Sequence, residues 1–208
     1  MKDEEEFKFG LSKNNFIVIC LIIFSIIWWR YDRPVRQPDG VLVAENPIQN
    51  DYLQPKILYE KDGTKVSAVA DYLIRARVLS KEHYRIDEGA WFAPWDFAIG
   101  WGAMSDNLLL NQLHINQGGR FYFYSYPGGT GLSNNQISPF SANMHLAPAD
   151  ASVSRALSKS RVGDIVVFKG KLVNVEKNNG WHWYSSLSRT DTGAGACELV
   201  WVEEVVIE

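Results

Sequence analysis

The strongest hydrophobic pattern runs from Phe16 to Trp29, FIVICLIIFSIIWW, which holds no charge and only Ser25 as a polar residue. It is apolar all round, unlike the one-sided stripe of an amphipathic core helix. As a helix, fourteen residues reach about 21 Å, against a hydrocarbon core of about 30 Å. Asn14, Asn15, Tyr31 and the snorkelling side chains of Lys13 and Arg30 lengthen it, and Trp28 and Trp29 resemble an aromatic belt. No small-residue cleavage site follows in IIWWRYDRPVR, so a retained signal-anchor is expected instead of a removed signal peptide. The reading is a cytoplasmic tail at 1–15 and a transmembrane anchor at 16–31, in contact with the lipid bilayer. Lys2, Lys8 and Lys13 balance Arg30, Arg33 and Arg36, so the short tail decides orientation. The expected localisation is a single-pass bacterial inner-membrane protein with a periplasmic soluble domain.

Residues 32–56 carry Pro34, Pro38, Pro47 and Pro55 and read as an extended linker. A β-rich globular domain is expected over 57–208. Tyr72 to Leu79 alternates as a strand, although its Ala and Leu content also suits a helix. Pro94-Trp95-Asp96 reads as the start of a short helix, and Ser105 or Asp106 as the cap of another running to Leu113. Arg120 to Tyr126 reads as a strand of alternating aromatics. Pro148 to Lys159 predicts a helix capped by Asp150. The strand IVVFKGKLVNVE follows, with Gly170 marking a bend. Asn179-Gly180 signals a hairpin into WHWYSSLS, and CELVWVEEVVI forms a last strand.

From residue 37 onward there are 15 Lys and Arg against 19 Asp and Glu. That acidic balance argues against nucleic acid as a partner, because phosphate neutralisation needs a basic face. Of the two cysteines, Cys20 lies inside the expected anchor and Cys197 near the C-terminus, on opposite sides of the membrane interface, so no internal disulfide is expected. No HExxH or CxxC spacing occurs among the histidines and cysteines, and neither a metal nor another cofactor is expected.

The run PADASVSRALSK, then VGDIVVFKGKLVNVE, then the hairpin, at about 148–207, resembles an OB-fold-type barrel. That resemblance implies binding of oligonucleotides or oligosaccharides, and the charge balance disfavours the former. The strings WDFAIGWGAMSD, SANMHLAPAD and SSLSRTDTGAGACELVWVE resemble a family of short, single-anchor bacterial membrane proteins. This second resemblance implies a membrane anchor and brings no catalytic residue with it. The fold class expected is therefore α+β, an N-terminal transmembrane helix followed by a mainly β, OB-like small barrel with a few short helices.

Ser141, Asn143 and His145 alternate along an extended segment and share one face. With Cys197 or Asp191 nearby they are candidates for a nucleophile and base. A histidine bonded to backbone and a small buried cysteine explain the same residues. Trp95, Trp101, Trp181 and Trp183, with Asp96 and Arg189, are candidate ligand contacts: exposed, the tryptophans stack on sugar rings or partner side chains, and buried, they fill a small barrel. The expected function is a binding or structural role in the cell envelope, with an envelope protein or a glycan as partner and no reaction identifiable. The alternatives are an envelope hydrolase using a His/Ser or His/Cys site, and a glycan- or peptide-binding module.

Overall fold

The computed structural model describes residues 13–31, 33–188, 193 and 195–208. The chain divides into two compact units, 1–33 and 34–208.

The first unit contains helix α1, Lys13–Tyr31. Among the described residues no helix is long and apolar enough to cross a membrane. The uncharged run is about 9 Å shorter than a hydrocarbon core when wound as a helix. This overturns the transmembrane anchor, the signal-anchor reading and the single-pass inner-membrane localisation with its periplasmic domain.

The second unit is mostly β. Strands β1 (Ile48–Lys61), β2 (Thr64–His83), β3 (Trp95–Gly100), β6 (Ser141–Pro148), β7 (Ile165–Lys177), β8 (His182–Tyr184) and β9 (Glu198–Ile207) form one sheet, and β4 (His114–Gly118) and β5 (Phe121–Ser125) form a separate hairpin. Strand β2 pairs β7 along one edge, and β1 followed by β3 along the other. The order β2-β3-β6-β9-β7 therefore closes back on β2 as a five-stranded barrel. All its contacts are antiparallel except β6 with β9. A one-turn helix, α2 (Asn107–Leu110), precedes β4, and the connection from β6 to β7 carries α3, Ala151–Lys159. The barrel is thus not confined to about 148–207: β2, β3 and most of β6 precede residue 148.

Its interior holds Tyr72, Ile74, Phe97, Ile99, Met144, Leu146, Phe168, Leu172, Val200 and Val202, with Val153 and Leu157 of α3 packed among them. Asp150 caps α3 by accepting from the Ser152 and Val153 amides. A bulge between Ala68 and Ala70 of β2 adds one residue and exchanges the two faces. Val66 and Ala68 consequently face an outer cluster with Phe92, Val173, Val175 and Leu199, whereas Ala70 and Tyr72 face the barrel. Half-buried Trp181, Trp183 and Trp201 pack on that outer cluster. A third cluster, under the β4–β5 hairpin, contains Leu79, Ala98, Met104, Leu109 and Ile137.

Three local expectations are corrected. Pro94-Trp95-Asp96 does not open a helix: residues 95–100 are β3, buried at every position. The helix capped by Asp106 covers only Asn107–Leu110. The segment read as a linker at 32–56 is not a free spacer. Val43 is fully buried in the core, the Ser105 hydroxyl accepts from the Leu42 and Val43 amides, and β1 begins at Ile48. Pro55 falls inside a register shift of β1, where its missing N–H is tolerated.

Candidate functional site

Strand alternation decides which side chains leave the barrel at β3 and β6. Phe97, Ile99, Met144 and Leu146 point inward. Their neighbours Asp96, Asn143 and His145 therefore point outward. Asp96 and His145 are direct cross-strand partners. Outward here does not mean solvated, because the β4–β5 hairpin and the Trp181–Tyr184 segment pack over this face. Asp96 is 1% exposed and His145 is 4% exposed.

Arg120 neutralises the buried carboxylate. It occupies the second central position of the β4–β5 turn, with φ +71°, after Gly119 at φ +58°. Two positive φ values in a two-residue hairpin loop are the signature of a type I′ turn, normally filled by Asn or Gly. Arg120 tolerates the position because the body of the protein holds its side chain. Nη1 donates to Asp96 Oδ1 at 2.6 Å and to the Ala93 carbonyl at 2.8 Å. Nε and Nη2 fork onto the two oxygens of Asp87 at 2.9 and 2.7 Å. The guanidinium lies 4.0 Å from the Tyr84 ring centroid and 5.3 Å from that of Trp183, a cation–π arrangement on two sides. Burial opposes the charge on Arg120, but the Asp87 hydrogen bonds and the Asp96 charge outweigh it and hold the pKa above the usual guanidinium value. Burial likewise pushes Asp87 upward, and the bonds from Arg120 with the Gly89 and Ala90 amides bring it below the ordinary carboxylate value.

His145 Nδ1 sits 2.9 Å from Asp96 Oδ1, yet off the line of a hydrogen bond. Both Nδ1 and Asp96 Oδ2 are buried without a hydrogen-bond partner. The His145 ring packs against Trp183 at 4.7 Å between centroids. Asn143, two residues earlier on the same face, is fixed by Gln117 Nε2 donating to its Oδ1 at 2.7 Å. Its own Nδ2 donates to the Arg120 carbonyl at 3.0 Å and to Cys197 Sγ at 3.7 Å.

These groups adjoin a cleft of about 350 Å³ whose lining includes Asp87, Glu88, Arg120, His145, Trp181, Trp183, Tyr184 and Cys197. Trp181 and Trp183 meet edge to face at 82°. Trp91 is tilted against Trp181 at 6.1 Å, and Lys177 Nζ lies 4.0 Å from the Trp91 ring. A second cleft, of about 260 Å³, lies on the other side of Cys197, against Tyr122, Tyr124, Ser141 and Asn143.

Of the residues proposed from sequence, the structure brings His145, Cys197, Trp181 and Trp183 to one cleft, with Asp96 beneath it. Ser141 lies in the other cleft, where it donates to the Ile137 carbonyl and accepts from the Tyr122 hydroxyl. His145 lies four residue steps further along β6, about 13 Å, so the Ser141/His145 nucleophile–base pair does not form. Trp95 and Trp101 are buried core side chains, and Trp101 also lines the second cleft. Trp95 is stacked on His83 at 3.9 Å, and Trp101 donates from its indole to Asn46. Arg189 and Asp191 lie outside the described residues. Sequence reasoning missed Arg120 and Asp87. The Gly118-Gly119-Arg120 turn was a usable signal, but no local pattern aims that arginine at residues 24 and 33 positions away. Among the described residues no group of three or more His, Cys, Asp and Glu side chains is arranged to hold a metal ion. No family model, curated protein or solved structure matches the chain.

Proposed function

We propose that the second unit is a binding module whose aromatic cleft takes a sugar ring. The observation that carries this reading is that Trp181 and Trp183, set edge to face, line one cleft together with Asp87 and Glu88. Indole faces stack on the C–H faces of a pyranose, while carboxylates accept from its hydroxyls. Several features support a ring over a bulky partner. The cleft volume lies at the small end of ligand sites. Trp183 packs directly on the Gly89 backbone, where an added Cβ would come within 2.4 Å of its ring. The acidic balance near the cleft suits a neutral or basic saccharide and disfavours a phosphorylated one.

Isothermal titration of the whole chain with neutral and amino-sugar oligosaccharides tests this. One class is expected to bind saturably, and Trp183→Ala to weaken that binding about tenfold, equivalent to roughly 1.4 kcal/mol. Heats indistinguishable from dilution across both classes, with the chain folded, sink the reading.

A further inference from the structure

We propose that Cys197, His145 and Asp96 form a thiol–imidazole–carboxylate site for acyl transfer at the floor of the same cleft, with a small ester as the substrate class. The cysteine does not stand alone. His145 lines the cleft together with it, and Asp96 lies behind the imidazole at 2.9 Å from Nδ1. Both the imidazole Nδ1 and Asp96 Oδ2 are buried without a hydrogen-bond partner, an arrangement costly to maintain for packing alone. Small adjustments on ligand entry align such contacts, since catalytic hydrogen bonds are commonly loose before substrate binds.

The sulfur has a purpose-built neighbour. Asn143 Nδ2 donates to Sγ at 3.7 Å, and the amide cannot rotate away because Gln117 holds its oxygen and the Arg120 carbonyl takes its other hydrogen. A donor aimed at sulfur favours the thiolate, which is the nucleophilic form. The strand geometry supplies reach. Cys197 immediately precedes β9 and touches Asn143, which lies two residues, about 7 Å, before His145 on the same face of β6, within span of the two side chains plus a reacting carbonyl.

The chemistry balances with water as co-reactant. The imidazole nitrogen remote from Asp96 takes the thiol proton as Sγ bonds to the ester carbonyl carbon. The tetrahedral adduct collapses with cleavage of the carbon–oxygen bond, and the alcohol leaves with the proton from His145. A water then gives its proton to His145 and attacks the thioester carbon. The carboxylic acid departs and the thiol is restored. Asp96 is a positioning residue that fixes the imidazole tautomer.

The test uses the full chain carrying Cys20→Ser, so that a single thiol remains. At neutral pH, iodoacetamide should alkylate Cys197 in the folded chain about tenfold faster than in the same chain unfolded in urea. A folded rate equal to or below the unfolded one overturns the proposal without any site variant. With p-nitrophenyl acetate, the folded chain should release a burst of about one equivalent of p-nitrophenolate and carry the acetyl group on Cys197. A burst with the acetyl group on lysine also overturns it. His145→Gln should slow alkylation about tenfold, and Asp96→Asn should move the pH at which the rate rises, a readout that loss of packing does not shift. The thiol's chemistry is independent of what stacks on Trp183. Sugar binding with a slow thiol removes this site and leaves the binding module; a fast thiol without sugar binding does the reverse.

Discussion

Arg120 and Asp96 meet at 2.6 Å, joining the tip of the β4–β5 hairpin to a strand of the barrel wall. Because Asp96 is buried, that contact anchors the hairpin more firmly than a surface ion pair would. Removing the guanidinium strands a carboxylate away from water, so Arg120→Ala should cost about 3 kcal/mol. Arg120→Gly loses the same contacts but relieves a left-handed backbone position, worth roughly 1 kcal/mol. Urea unfolding midpoints should therefore rank wild type above Arg120→Gly, and Arg120→Gly above Arg120→Ala. The reverse order of the two variants would show that the turn is unstrained.

Acid should weaken the fold in two stages. Asp71, Asp87 and Glu208 are all held below their ordinary values. The dominant influence is the Lys171 hydrogen bond for Asp71. For Asp87, burial is overcome by Arg120, and for Glu208 the Arg75 hydrogen bond dominates. A depressed carboxyl contributes stability that is complete above its unfolded value and disappears as pH falls through the folded one. The main loss is thus expected below about pH 4. His83 is also depressed, first by burial and then by Arg85 and Lys81. Its neutral form is favoured in the fold, so a shallow limb should begin as pH drops below about 6.5. Unfolding midpoints measured across this range check both stages. His83→Gln should remove the upper limb only, and Asp87→Asn should flatten part of the lower one.

Base should act through Tyr122. Burial pushes its hydroxyl from 10.0 to about 12. The folded chain keeps this proton where the unfolded chain has lost it, so stability falls as pH rises between those values. Titration of phenolate absorbance should show one tyrosine ionising last, and Tyr122→Phe should delete that step. A wild-type curve without a late step would contradict the burial of this ring beneath the hairpin.

Gly170 is the least replaceable residue of the barrel seam. It sits at the β7–β9 register shift, and a Cβ there would meet the Trp201 carbonyl oxygen at 2.0 Å. Backbone cannot move aside as a side chain can. Gly170→Ala should cost about 3 kcal/mol, the upper end for overpacking, with a matching fall in the thermal midpoint. Gly180, with open space around it but φ +88°, should suffer less from the same change.

The sequence disclosed those features that local chemistry dictates. Asp150 was legible as a cap, Asn179-Gly180 as a hairpin, and Gly170 as a bend, because each depends on residues within a few positions. Strand β3 was hidden for a physical reason. Its outer face is covered as well as its inner one, so the alternation that marks a half-exposed strand is absent. The Pro-rich stretch before β1 looked free because its anchor, Ser105, lies some sixty residues away. The cleft was half visible: Asn143, His145 and Cys197 drew notice by residue type, as did Trp181 and Trp183. Arg120 did not, since what makes it important is the crossing of three distant segments.

The seam between β2 and β7 joins residues 64–77 to residues 165–177, a separation of about one hundred positions. A chain emerging from the ribosome must therefore hold β2 with an unsatisfied edge until most of the remaining sequence has been made. Barrels closed by such distant partners fold slowly, and their waiting strands invite pairing with neighbouring chains. For this protein the vulnerable interval is synthesis itself, and any truncation before β7 leaves β2, the longest strand, without its principal partner.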